Sequence, residues 1–312
     1  MLTIAIPTYN RNLLLRKQIE KLVPQLESYV RILIIDNCSD QAVYESIRDL
    51  VNNKITVIRN AVNIGADANI CRCFEYCDTE WLWVLSDDDP VKEDAVSTVL
   101  NEILKYRDYV FLNFNADSAY CTEGFSEFCL SKPNYSNIFF ISVCIYNNYK
   151  LRPYLTYYYN YMSSMHGQLV LLLKYLEHNS NGKCRFFTND ILASKGHAQW
   201  SKRLFIERVP LFITAFDIKH VKMIKFAFGN SIGWHLLYFI NISRIYDELP
   251  MAMQVSMIAE VVKLVGIRAI FAKNTFKQIV LNVVSFFSKQ IAHQIIVKLN
   301  MVNYQVNDVN SD

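Results

Sequence analysis

The sequence predicts an α/β fold: a mainly parallel, Rossmann-like sheet flanked by helices, followed by a helical C-terminal extension. Two observations carry this. Short apolar runs alternate with amphipathic helical stretches through the first third of the chain, the pattern of strands buried on both faces. Every polar cluster in that region falls at the carboxyl end of such a run, where open parallel sheets bind their ligands. Chance would scatter these clusters over both edges.

Leu2–Ile6 reads as the first strand and ends in the turn Pro7-Thr8-Tyr9-Asn10-Arg11. Asn10 is expected to cap the next helix, which carries Leu14, Leu15, Ile19 and Leu22 at helical spacing. Arg31–Ile35 is the second strand, ending in Asp36-Asn37-Cys38-Ser39-Asp40, and a helix through Val43, Ile47 and Leu50 follows. Ile55–Ile58 is the third, before Asn60–Gly65 and a helix over Ala68–Cys77. Trp81–Leu85 is the fourth and runs straight into Ser86-Asp87-Asp88-Asp89-Pro90. A helix over Lys92–Tyr106 and a fifth strand over Tyr109–Phe114 complete the first half. Further on, Phe186–Thr188 and Ile191–Ala193 read as two strands joined at Asn189-Asp190, and the pattern turns helical from Met223.

A chain of 312 residues, 52% hydrophobic, suits one large domain or a domain with an appendage. The net charge of +3 does not by itself imply nucleic acid, and no nucleic-acid partner is expected. There is no G-x-G-x-x-G after the first strand and no G-x-x-x-x-G-K-[ST], which excludes the usual dinucleotide dehydrogenases and P-loop NTPases. The first strand begins at Met1 with no signal-like segment before it. No apolar run approaches the ~18–20 residues of a spanning helix, so a cytoplasmic location is expected. Cys71, Cys73 and Cys77 share a predicted helix without paired C-x-x-C spacing. Buried thiols in a reducing compartment fit this better than a zinc site.

Three adjacent carboxylates at the tip of a core strand repel one another. A solvated turn capping the next helix is one reading of Asp87–Asp89. A divalent cation on oxygen ligands is the other. Such a metal can hold nucleotide phosphates without a glycine-rich loop.

Ile6–Arg11, Ile35–Asp40, Asn63-Ile64-Gly65 with Asn69, and Leu85–Asp89, in this order and spacing, resemble the family 2 (GT-A fold) glycosyltransferases. Within the family the chain looks most like bacterial O-antigen and capsule transferases of the abequosyltransferase-like kind. The resemblance implies roles. Pro7, Thr8 and Tyr9, with Arg11, would line the nucleotide; Asp36 would accept from a pyrimidine N–H; Asn63, Gly65 and Asn69 would shape the facing loop. Asp87 would lie near the ribose or donor sugar, and Asp88 would bind Mg2+ or Mn2+, with Asp89 bound through water or capping the next helix. Asp36 as a plain turn residue and Asn69 as a backbone partner remain open alternatives. Two positions depart from the family pattern: Ala68 stands where arginine is frequent, and Cys38 where glycine or a small polar residue is usual.

The resemblance also implies an acceptor-side general base, usually an aspartate before a helix. The corresponding place, Ser163–Gln168, offers His166 instead, with Asp190, His197 and Asp217 as weaker alternatives. Tyr154, Tyr157, Tyr158, Tyr159 and Tyr161 fit either sugar stacking or ordinary packing. Lys202 and Arg203 fit a diphosphate clamp or solvated charge. Between Val261 and Asn307 there is no acidic residue, while Lys263, Arg268, Lys273, Lys277, Lys289 and Lys298 alternate with apolar side chains. A basic amphipathic helix of this kind selects an anionic membrane surface. The expected organisation is a GT-A domain over 1–220, divided into a donor and metal half (1–115) and an acceptor half (116–220), then a helical basic region over 221–312. The expected activity is metal-dependent, inverting transfer from a nucleotide sugar to a lipid-linked or oligosaccharide acceptor at the inner face of the cell membrane. The alternatives are an inactive nucleotide- or glycan-binding module of the same fold, and a sugar nucleotidyltransferase.

Overall fold

The structure is a computed structural model describing residues 1–194 and 211–229, with Arg208, Ala259 and Val280 as single positions. His197, Lys202, Arg203 and the basic stretch beyond Val261 lie outside the described residues. The elements below all belong to one unit, Met1–Gln199 with Leu211–Phe228.

The sheet strands are β1 (Leu2–Thr8), β2 (Val30–Asp36), β3 (Ile55–Arg59), β4 (Trp81–Val84), β5 (Phe111–Asn113), β6 (Tyr120–Glu123), β7 (Cys144–Asn147) and β8 (Lys183–Phe186). Their spatial order is β3-β2-β1-β4-β7-β5-β8-β6. β1, β2, β3 and β4 pair in parallel, as do β5 and β8. β7 runs antiparallel between β4 and β5, and β6 runs antiparallel to β8. The sheet is therefore mostly parallel but mixed. The carboxyl ends of six strands and the amino ends of β6 and β7 share one edge.

The helices are α1 (Asn12–Leu22), α2 (Val43–Ile47), α3 (Ala66–Tyr76), α4 (Ala95–Lys105), α5 (Gly124–Leu130), α6 (Tyr135–Phe139), α7 (Asn148–Leu151), α8 (Leu155–Tyr161) and α9 (Gly167–His178). Within this unit a further helix, α10, covers 218–228. All four residues of β4 are fully buried, as are Ile4, Ile6, Ile34 and Ile35. Both faces of these strands are covered, so their sequences are unbroken apolar runs rather than alternating ones. Phe74 of α3 ties the two halves together: its ring lies 5.1 Å from Tyr146 on β7 and 5.4 Å from Tyr158 on α8. The α3 cysteines are buried free thiols, and burial pushes the Cys71 thiol up to about 12.

Three sequence expectations change. Asn10 does not cap α1, because its backbone is left-handed (φ 54) and the N-cap position falls on Arg11. The Phe186–Thr188 and Ile191–Ala193 hairpin does not form. β8 lies earlier, over Lys183–Phe186, where Lys183 and Arg185 alternate with the buried Cys184 and Phe186. Ile191–Ala193 contributes a single bridge, Leu192 to Val91, and Lys92 N donates to Ile191 O, which holds Lys92 out of a helix that begins at Ala95. Of the two readings of the tyrosine cluster, Tyr158 takes the packing one. It is 1% exposed and fills the space above Gly167.

A Cβ built on Gly167 would stand 2.4 Å from the Tyr158 ring, itself wedged against Phe74. Gly167→Ala should therefore destabilise the fold by about 1–3 kcal/mol, the usual range for forced overpacking. Urea unfolding of the variant beside the wild type measures it.

Candidate active site

The polar strand ends meet at the common edge. Asp87, three residues beyond β4, is 4% exposed and its carboxylate accepts from Thr8 Oγ1 at 2.6 Å. Ser86 Oγ donates to Asp88 Oδ1 at 2.5 Å. One guanidinium nitrogen of Arg11 bridges the pair, 2.9 Å from Asp87 Oδ1 and 3.2 Å from Asp88 Oδ2. Burial pushes the Asp87 carboxyl up from its ordinary value, against the pull of Thr8 and Arg11. The cation that the acidic triplet demands is thus supplied, in this structure, by a side chain.

Asp89 departs from its expected metal role. It is 2% exposed, and Oδ2 accepts from Ser142 Oγ at 2.7 Å. The same hydroxyl accepts from Ser86 N at 3.0 Å, and Gln18 Nε2 donates to Asp89 O at 2.7 Å. Asp89 therefore braces the turn to the amino end of β7 and to α1. Asp88, with 18% of its side chain exposed, and Asp87 beside it present hard carboxylate oxygens that already gather positive charge. Their chemistry fits Mg2+ or Mn2+.

Asp36 is 1% exposed at the end of β2. Its oxygens accept from Ser39 N (2.9 Å), Arg59 (2.5 Å) and Val43 N (3.5 Å). Burial alone would raise this carboxyl, but the Ser39 and Arg59 hydrogen bonds take it below the usual range. Asp36 shapes the loop over 37–40. Cys38 in that loop is left-handed (φ 65), which explains why a glycine suits this position. Asn10 links this loop to the first: its Nδ2 donates to Asp40 Oδ2, its Oδ1 accepts from Asp40 N, and its own N–H donates to Ser39 Oγ.

Asn63, Gly65 and Asn69 come together through two residues that the sequence reading did not single out. Asn37 Nδ2 donates to Asn63 Oδ1 at 2.8 Å, while Asn37 Oδ1 accepts from Ile64 N and Asn60 Nδ2, each at 3.0 Å. Asn60 also donates to Asn69 Oδ1, and Asn69 Nδ2 donates to Ile35 O at the end of β2. Gly65 takes φ 84, so a side chain there would be strained although the space is open. Recurring asparagines directly after β2 and β3 were the available signal. Pro7 is half-buried and Tyr9 is 41% exposed beside these loops. Arg72, one turn beyond Ala68, pairs with Glu75.

His166 is corrected as the acceptor-side base. Its ring is fully buried, stacked on Phe139 and packed against a tilted Phe212, with Nδ1 on Ser164 O at 2.7 Å and Nε2 bonded to the Tyr135 hydroxyl. Burial pulls its pKa down to about 4. A base needs reach to the acceptor proton, and this imidazole is enclosed by protein. Asp217 caps α10 through His220 N, and His220 pairs with Glu177 of α9. Asp190 is different: half-buried, it lies on a segment pinned beside the acidic turn by Lys92 N to Ile191 O and Ala193 N to Pro90 O.

Residues 3–127 match the family model described as Glycosyl transferase family 2. An uncharacterized glycosyltransferase of Haemophilus influenzae is 30% identical over 126 residues, 40% of this chain and 42% of that protein. Abequosyltransferase RfbV of Salmonella typhimurium is 29% identical over 106 residues, 31% of each. The matched segment thus spans less than half the length of these curated relatives. Among solved structures, S. aureus TarS 1–349 covers 86% of this chain and 82% of its own, with a TM-score of 0.59 at 11% identity. Mannosyltransferase PcManGT from Pyrobaculum calidifontis, in complex with GDP-Man and Mn2+, covers 95% and 86%, with a TM-score of 0.51 at 11% identity.

The buried neutral His166 has a pH consequence. An unfolded histidine protonates near its ordinary 6.5, whereas the folded one holds off until about 4, so stability falls as pH drops through that window. Between pH 7 and pH 5 this contributes a loss of about 2 kcal/mol. In His166→Gln the loss over the same interval should be smaller by about that amount, as measured by urea unfolding at both pH values.

Proposed function

We propose that this chain, a GT-A-fold protein carrying a glycosyl transferase family 2 domain over residues 3–127, transfers a sugar from a nucleoside diphosphate sugar to an acceptor hydroxyl with the help of Mg2+ or Mn2+. The observation that carries the reading is the Asp87–Asp88 pair at the end of a fully buried strand, ringed by the loops after β1, β2 and β3. The fold-level likeness to a mannosyltransferase solved with GDP-Man and Mn2+ supports it.

In this reading Asp88, with Asp87 adjacent, holds the divalent ion, and Asp89 keeps the turn rigid. A bound Mg2+ or Mn2+ would offset the negative charge that grows on the nucleoside diphosphate as it leaves. Pro7 and Tyr9 line the nucleotide, with the exposed Tyr9 ring as an aromatic face for it. Thr8 fixes the rotamer of Asp87, and Asp36 fixes the loop over 37–40. Asn63, Gly65 and Asn69 hold the facing loop through Asn37 and Asn60. Asp190 takes the base role that His166 cannot fill, removing the acceptor proton so that the sugar inverts. The acceptor is a lipid-linked or oligosaccharide intermediate of a surface polysaccharide, met at the inner face of the membrane. The basic region within 221–312 supplies the membrane contact. Among the described residues no helix is long and apolar enough to cross a membrane.

Asp88→Asn should lower Mn2+-dependent transfer by about 100-fold or more, and Asp190→Asn by about 100- to 10,000-fold with donor binding retained. Turnover of UDP, GDP, CDP and TDP sugars with Mn2+, beside calorimetric donor binding, measures both. Donor binding without turnover in the wild type would instead favour a binding module. Deleting residues 260–312 should move the protein out of the membrane fraction of lysed cells. An unchanged distribution would remove the membrane assignment.

A further inference from the structure

We propose that Arg11 is the resting counter-cation of the Asp87–Asp88 pair, and that it gives way only when the metal arrives together with the donor diphosphate. The inference rests on the reading above and adds an order of events to it.

The oxygen count is decisive. Asp87 Oδ2 is taken by Thr8 Oγ1 and Asp88 Oδ1 by Ser86 Oγ. The two oxygens left for a cation are Asp87 Oδ1 and Asp88 Oδ2, and Arg11 Nη1 bridges both of them. Arginine keeps its charge at every working pH, so proton loss does not vacate this position. The backbone at Arg11 is held by its neighbour Asn10, which is bonded to Ser39 and Asp40. The side chain is 28% exposed, so part of the guanidinium arm meets solvent.

Charge then sets the order. Two carboxylates and one guanidinium leave one net negative charge. A dication entering alone must push Arg11 aside and leaves the site positive, with the freed guanidinium close by. A dication entering on a nucleoside diphosphate sugar, which carries two negative charges on its phosphates, restores the resting balance. The released guanidinium then has phosphate oxygens to bond, and arginine suits that geometry. Metal and nucleotide therefore bind with positive coupling, and Arg11 is the residue that produces it.

The experiment compares Mn2+ binding to the full chain alone and in saturating UDP, GDP, CDP or TDP, by calorimetry and by the EPR signal of free Mn2+. Thermal unfolding confirms that each variant is folded. Arg11→Gln should bind Mn2+ alone roughly tenfold more tightly than the wild type, within the ordinary range of coupling between sites. The factor by which nucleotide tightens Mn2+ should fall to a similar degree. Arg11→Lys, which keeps a charge, should bind Mn2+ alone about as weakly as the wild type. Equal or weaker Mn2+ binding in Arg11→Gln overturns the proposal, and so does Mn2+ binding in Arg11→Lys as tight as in Arg11→Gln. If the wild type binds none of the four nucleotides with Mn2+, the transferase reading fails. The Mn2+-only comparison still judges Arg11.

Discussion

The site depends on one electrostatic constraint: two adjacent carboxylates are delivered to the end of a strand with no exposed residue. β4 is rigid because β1 and β7 flank it and both its faces are covered. That rigidity puts Asp87 and Asp88 where repulsion cannot be relieved by moving the backbone. The surrounding groups answer it individually. Thr8 and Ser86 each take one oxygen, Arg11 spans the two that remain, and Asp89 is turned away into Ser142. Removing one partner of such a buried set leaves an uncompensated charge, which is why each neighbour matters more than its own hydrogen bond.

The facing loop is built on a different principle. Asn37, Asn60, Asn63 and Asn69 are neutral and can each donate and accept. They join the ends of β2 and β3 to the start of α3 without adding charge near the carboxylates. A lysine or aspartate at these positions would shift the field that the Asp87–Asp88 pair presents. The network thus fixes loop shape while leaving the electrostatics of the edge to Arg11 and the acids.

Much of this was legible in the sequence. Fully buried strands leave unbroken apolar runs, so β1, β2 and β4 were readable, and the acids after Leu85 stood out because nothing apolar explains them. The rest was hidden for physical reasons. β7 is only Cys144–Asn147, preceded by a single 3-10 turn and followed at once by a helix, so it has no periodicity to read. β8 carries Lys183 and Arg185, which look like loop residues but lie along aromatic rings: Arg185 stacks over Tyr106 and Phe187. His166 follows Ser163 and Ser164 and so resembles an exposed polar turn. Only the distant Phe139 and Phe212 reveal that it is enclosed. Asn10 was misread because helix caps and left-handed turns favour the same residue.

The antiparallel insertion of β7 has a consequence for how such a protein can diversify. β4 and β5 are not neighbours; β7, from far along the chain, lies between them and pairs with both. The recognisable family segment stops at residue 127, before β7 begins, so the stretch that sequence comparison isolates is not a module that can be excised. Cut there, β4 would expose a bare edge and Asp89 would lose Ser142. Exchange of the segment beyond residue 127 between relatives is therefore constrained at its first strand, β7: any replacement must bring a strand of the same direction and a hydroxyl at its entrance.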